Sequence, residues 1–149
     1  MRDKLRGRGD TRQVASNAEL AKRAVGDLQA LFELFDPDIV WDNRGYSPID
    51  QGGLIRGRQA VIDTVKAWVG TWNEYTFRAD EVLAAGDHVV VVVSESGLGK
   101  VSGAPMEHHY CLVWTFVAGR IVRGAGYPGK GEALSAIGEG ERGPRPGTG

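Results

Sequence analysis

Cysteine, histidine and long hydrophobic runs are the scarce features of this chain. A single cysteine, Cys111, excludes an internal disulfide and a cysteine-based metal cluster. Three histidines with no aligned pair of carboxylates offer no metal-ligating pattern, so neither a metal nor a nucleotide cofactor is expected. No run approaches the ~18 apolar residues of a membrane-spanning helix. The charged N-terminus lacks the apolar stretch of a signal peptide. Net charge is nearly absent too: 18 Lys and Arg against 19 Asp and Glu leave −1, so no global field draws in nucleic acid or an anionic membrane. These absences lead to the expectation of a soluble, cytoplasmic protein with neither nucleic-acid nor membrane partners.

What is present suits one globular domain. The 149 residues are too few for two well-packed cores, and 42% hydrophobic with 25% charged residues is ordinary for a soluble fold. Both ends read as tails. Residues 1–15 form a basic arm carrying Arg2, Lys4, Arg6, Arg8 and Arg12, and residues 138–149 (GEGERGPRPGTG) are rich in glycine and proline. Neither end offers enough apolar surface to offset its ordering entropy, so the domain is expected over residues 16–137.

Ser16 and Glu19 have the spacing of a capping box. Leu20, Ala24, Leu28, Leu31, Phe32 and Phe35 then recur at helical spacing, with Asp27 able to cap a second, short helix. Pro37 ends it, and Ile39 to Asn43 reads as a strand. After a turn-rich loop, Gln59 to Trp72 is amphipathic, with Val61, Val65, Trp68 and Trp72 on one face. Four strands follow: Tyr75 to Ala84, His88 to Glu95, Met106 to Val117 and Arg120 to Tyr127. Their short connections force antiparallel neighbours, and helices followed by strands make an α+β fold. Val89 to Val93 is apolar on both parities, so that strand needs cover on both faces. The helices supply one cover. No further helix is read in the chain, so a homodimer through the face of Cys111, Val113 and Thr115 is expected.

Period-two alternation places His108, Tyr110, Leu112, Trp114 and Phe116 on the opposite face of that strand. Polar and aromatic groups mixed with hydrocarbon suit the wall of a small-molecule pocket. Tyr46, Trp68, Trp72, Tyr110 and Trp114 could cradle a flat ligand, although packing alone also explains Trp68 and Trp72. Asp42 is the general-base candidate if it sits at the rim of an apolar pocket, where desolvation raises its pKa. In Trp41-Asp42-Asn43-Arg44-Gly45 it could equally cap a turn and pair with Arg44. His108 is placed to bond a ligand oxygen or carry a proton. His109 points the other way, toward a structural or interfacial role. Gly97-Leu98-Gly99-Lys100-Val101 lacks the first glycine, the Ser or Thr, and the strand-to-helix context of a phosphate loop.

The order and spacing of LFDPDIVWD, IRGRQAV, AAGDHVVV and VWTFVAGRIVRGAGY resemble the SnoaL-like (polyketide cyclase) branch of the nuclear-transport-factor-2-like superfamily, from about Ala18 to Ile137. The resemblance implies a cone-shaped, curved antiparallel sheet wrapped around N-terminal helices and enclosing a pocket, often in a homodimer. The superfamily includes ketosteroid isomerases, polyketide cyclases, limonene-epoxide hydrolases, scytalone dehydratases and proteins without chemistry. It implies that Asp42 stands at the ketosteroid isomerases' catalytic aspartate and Leu112 at their protonated aspartic acid. Gly126 stands where cyclases and epoxide hydrolases carry an aspartate before the last strand's tyrosine, and Ser94 and Ser96 replace the epoxide-hydrolase Arg and Asp. The expected function is cofactor-independent acid–base chemistry, of isomerase, cyclase, dehydratase or hydrolase type, on a small, largely apolar substrate. Asp42, His108 and Tyr110 are the expected catalytic residues, with Tyr46, Trp68, Leu112, Trp114 and Tyr127 around the substrate. The alternative is a non-catalytic hydrophobic-ligand-binding or scaffold protein.

Overall fold

Asp27 divides the N-terminal helical region in two. The computed structural model describes residues 17–48 and 53–142; the capping box at Ser16 and the basic arm lie outside the described residues, as do residues 143–149 of the C-terminal tail. Helix α1 runs through residues 17–26. Helix α2, Leu28–Leu34, starts where Asp27 Oδ1 accepts the Gln29 and Ala30 amides at 3.0 and 3.3 Å. That carboxylate satisfies two of the free donors of the first turn. Phe35 is already extended, so the chain leaves helix two residues before Pro37.

Strand β1, Phe35–Asp42, pairs with the short β2, Leu54–Arg56, and α3, Arg58–Val69, follows. The expected helix reached Trp72, but Gly70 ends it and Trp72 opens the next strand. Long strands β3 (Trp72–Ala85), β4 (His88–Gly99), β5 (Pro105–Val117) and β6 (Arg120–Tyr127) then complete an open six-stranded sheet ordered β2-β1-β6-β5-β4-β3. Every neighbouring pair is antiparallel except β1 with β6, which is parallel. Register shifts near Asn73–Thr76 and Ala79–Glu81 interrupt the β3–β4 ladder, and such bulges bend a sheet and strengthen its twist. The β5–β6 turn takes positive φ at both Ala118 (50°) and Gly119 (78°), the backbone that matches strand twist in a tight hairpin.

The concave face packs on the helices. Phe35, Ile39, Val61, Val89, Val91, Val93, Trp114, Phe116 and Ile121 are almost wholly buried there. Each such side chain contributes about 1.5–3 kcal/mol of burial. The alternation expected on β5 holds: Tyr110, Leu112, Trp114 and Phe116 join this core, while Cys111 and Val113 belong to a second cluster on the other face.

That second cluster corrects the argument for a partner subunit. Helix α4, Lys130–Arg142, lies across the outer face and packs Ala133 and Ile137 against Val90, Cys111 and Val113. Lys130 Nζ fastens its start to Glu81 at 3.0 Å. The outer face is therefore covered from within the chain, and the segment read as a tail from residue 138 carries the end of this helix. The glycines of Lys130–Arg142 hide its helical spacing. Tertiary packing of Ala133 and Ile137 overrides their poor propensity.

Candidate functional site

Between the helices and the concave face of the sheet is a cavity of about 80 Å³, enough for several water molecules. Leu28, Leu31, Val61 and Val65 form its helical wall, and Tyr75, Phe77, Tyr110, Leu112 and Trp114 its sheet wall. Trp41, Tyr46 and Ile55 close the end near the β1–β2 loop. Polar groups are few. Besides the aromatic residues, Asn43, Ser47, Thr64 and Glu95 supply them.

Glu95 is the centre of the site. Its side chain is only 1% exposed, yet it stands on the cavity wall. Oε2 accepts the Trp68 indole N–H at 2.8 Å and the Tyr75 hydroxyl, while His108 Nδ1 lies 3.3 Å from Oε1. Burial, and then hydrogen bonding to Glu95, pushes the Tyr75 phenol far above its ordinary pKa. Burial first and the charge of Glu95 next do the same to Tyr110. Both phenols therefore keep their protons throughout the ordinary pH range and can donate to an oxygen. The His108 ring stacks on Trp68 at 6.0 Å, and Trp68 meets Trp72 edge-on at 5.2 Å. Tyr46 packs on Tyr110 at 5.4 Å.

Of the residues expected around a substrate, Tyr46, Trp68, Leu112 and Trp114 line the cavity, as does Tyr110. His108 is on the predicted side of β5 but meets the cavity through Glu95 and Trp68, and is not itself part of the wall. Tyr127 departs from expectation. It pairs with Cys111, shares that residue's outer face and packs with the cluster beneath α4.

Asp42 departs furthest. Trp41 faces Gly124 and the cavity, so strand alternation turns Asp42 to the other side, beside Ala125. There its carboxylate accepts the Arg44 amide at 2.9 Å, the Arg44 guanidinium at two bonds of 3.0 Å, and Arg123 at 2.7 Å. The Arg44 side chain above all, aided by its amide and by Arg123, holds the carboxyl well below the usual carboxylate range against the opposing effect of burial. The raised pKa wanted of a general base is thus replaced by its opposite. Of the two readings of the sequence, the turn-capping, arginine-paired one describes this residue.

Sequence reasoning passed over Glu95, although a signal was present. Val89, Val91 and Val93 face the helices, and extending the same parity by two positions places Glu95 on that face opposite His108. Ser94 and Ser96 take the outer parity. Ser94 Oγ donates to Asp80 and lies 3.1 Å from His109 Nδ1, while His109 Nε2 is 3.2 Å from Glu107. The two adjacent histidines thus serve opposite faces.

Gly126 has its own physical explanation. A Cβ there would come within 2.3 Å of the Tyr46 carbonyl oxygen, so the bare backbone is what lets Tyr46 close the cavity. Likewise a Cβ on Gly124 would strike the Trp41 ring at 2.4 Å. Among the described residues, no group of three or more His, Cys, Asp or Glu is arranged to hold a metal ion, and no helix is long and apolar enough to cross a membrane.

Comparison with known proteins agrees with this architecture. A nuclear-transport-factor-2-like protein from Burkholderia thailandensis is 25% identical, with a TM-score of 0.62 over 84% of this chain and 95% of that one. RV0760c from Mycobacterium tuberculosis, solved with estradiol-17β-hemisuccinate, is 20% identical, with a TM-score of 0.60 over 76% of this chain and 92% of its own. A Catenulispora acidiphila protein with a ketosteroid isomerase-like fold, solved with trimethylamine, is 18% identical, with a TM-score of 0.60 over 82% and 92%. No curated protein matches the sequence. The SnoaL-like domain model matches residues 20–124, and the chain belongs to that family.

Proposed function

We propose that this protein binds a small, largely apolar organic molecule in the cavity and moves a proton on it. Glu95 is the proton acceptor, and Tyr110 is the hydrogen-bond donor to a substrate oxygen. One observation carries the reading: a buried carboxylate stands on the wall of a mostly apolar cavity, with the Tyr75 phenol bonded to it and the protonated Tyr110 phenol close by. A base and a donor held in fixed positions away from bulk water supply the two halves of an isomerase-type proton transfer. The ligands of RV0760c and the Catenulispora protein support a small-molecule pocket in this fold.

The density of bonds already made to Glu95 favours a second reading, in which the network only shapes a binding site. Exchange of the α-protons of a small cyclic ketone such as cyclohexanone in D₂O, followed by NMR, separates the two. Acid–base chemistry predicts exchange faster than in buffer, with Glu95→Gln losing at least about 100-fold of the acceleration while ketone affinity changes little. Binding of the ketone, seen by tryptophan fluorescence, without any acceleration would establish the second reading.

A further inference from the structure

The walls of the cavity are unbalanced in charge. Among the described residues, none of the wall positions is Lys, Arg or His, whereas Glu95 contributes a carboxylate. Among the described residues, the groups bonded to that carboxylate are an indole, a phenol and an imidazole, the last a counter-ion only when protonated, and none is a guanidinium or ammonium. The phenols of Tyr75 and Tyr110 hold their protons and add no charge of their own. Asp42, by contrast, takes two arginines on the outer face.

The acceptor positions of Glu95 are also unevenly used. A carboxylate offers about four lone-pair sites on its two oxygens. Oε2 takes Trp68 and Tyr75, and Oε1 takes His108, with the Tyr110 phenol also close to the carboxylate. Oε1 carries the fewer of these bonds and is the oxygen that a donor from the ligand would reach. Around it stand aromatic rings: Trp68 and Tyr75 bonded to the carboxylate, Tyr110 beside it, and Tyr46 packed on Tyr110.

We propose that the ligand of this pocket is a small amine with an apolar body, its ammonium N–H seated on Glu95 Oε1 among Tyr46, Trp68, Tyr75 and Tyr110. This rests on the reading of the cavity as a small-molecule site and names the class of molecule it selects. A carboxylate or phosphate ligand would face the Glu95 carboxylate with no Lys or Arg among the described wall residues, so anions are disfavoured relative to a cation. A neutral alcohol can also donate to Oε1 but gains nothing from charge.

Cyclohexylamine, cyclohexanol and cyclohexanecarboxylate share one ring and differ in the head group. Their affinities at pH 7, measured by tryptophan fluorescence or calorimetry, test the proposal. The amine should bind at least about 10-fold more tightly than the alcohol, a gain within the range of a charge-assisted bond over a neutral one. The carboxylate should bind most weakly. Glu95→Gln should shrink the advantage of the amine to within about threefold, since only the charge is removed. The wild-type ranking needs no variant, so a poorly folded Glu95→Gln protein cannot mask the answer. An amine that binds no better than the alcohol, or an advantage that survives in a folded Glu95→Gln protein, overturns the proposal. If the alcohol and the ketone still bind in those cases, the small-molecule reading of the cavity stands. If none of the three cyclohexyl ligands nor the ketone binds, both fall together.

Discussion

Asp42 and Glu95 are both acidic, both on strands and both buried, yet they live in opposite environments. Asp42 ends a strand on the outer side, where Arg44 and Arg123 reach it with charge-assisted bonds of 2.7–3.0 Å. Glu95 stands on the inner side, where its bonded partners among the described residues are rings: indole, phenol and imidazole. The first arrangement fixes a carboxylate as an anion and spends its hydrogen-bonding capacity on the fold. The second keeps a carboxylate on the wall of a mostly apolar cavity, within reach of a ligand. Position on the pleat, and not residue type, decides which acid is structural and which is available to a ligand. One residue of shift along a strand would have exchanged the two roles.

The sharpest way to break this comparison is to delete the inner carboxylate. Glu95→Ala leaves the Trp68 indole N–H and the Tyr75 hydroxyl without their acceptor. Each abandoned buried donor costs about 1–3 kcal/mol, so a loss of about 2–4 kcal/mol is expected in chemical denaturation. Glu95→Gln retains an oxygen for those donors and should lose only about 1 kcal/mol. Equal losses from the two variants would show that accepting these bonds is not what holds the site together.

The outer carboxylate should give a smaller effect and a different pH signature. Asp42→Asn keeps an oxygen for the Arg44 amide but removes the charge facing both guanidiniums. Because the arginine side chains are 65% and 42% exposed, solvent screens the pairs, and a loss of about 1–2 kcal/mol at neutral pH is expected. The folded-state pKa lies below that of the unfolded chain, so the unfolded state takes up the proton first as pH falls. The contribution of Asp42 is thus complete above about pH 4 and drains away below it, toward the lower folded value. Urea denaturation of wild type and Asp42→Asn from pH 7 to pH 2.5 should show their difference narrowing only in the acid range. A constant difference would mean that the arginine pairs do not carry it. Ketone exchange and amine affinity should be unchanged by Asp42→Asn.

How far the sequence disclosed all this follows from the range of each signal. Strand limits on β5 and β6 were legible because alternation and the Ala118-Gly119 turn act over a few residues. Asp27 was legible as a cap for the same reason. The cavity aromatics Trp68, Tyr110 and Trp114 were legible as members of one strand face or helix. Helix α4 was not, since its glycines weaken local propensity and only contact with Cys111 and Val113 stabilises it. The Arg44 partner of Asp42 was legible two positions away, but the second arginine, Arg123, lies 81 positions away, where no local pattern reveals it. Glu95 lay at the end of a valine run whose uniform hydrophobicity hid the parity that placed it inside. Resemblance to a family compounded the error by drawing attention to the position of Asp42.

The adjacent histidines give the finest test, because they differ by one position and little else. His108 stacks on Trp68 and approaches Glu95 Oε1, so its loss removes a ring and a bonding partner from the inner network. His108→Ala should lower ligand affinity several-fold and cost about 1 kcal/mol, the size of a typical hydrogen bond. His109 lies on the outer face between Ser94 and Glu107, with its side chain 64% exposed and that of Glu107 71% exposed. Exposed pairs of this kind contribute little after screening and side-chain entropy, and surface substitutions usually stay within about 0.5 kcal/mol. His109→Ala should therefore leave both stability and ligand affinity near wild type, with Ser94 still bonded to Asp80. Fluorescence titration of both variants with the same amine gives the comparison directly. If His109→Ala weakened binding as much as His108→Ala, the inner and outer faces of β5 would not be separate environments, and the assignment of Glu95 and Asp42 to opposite sides of the sheet would lose its basis.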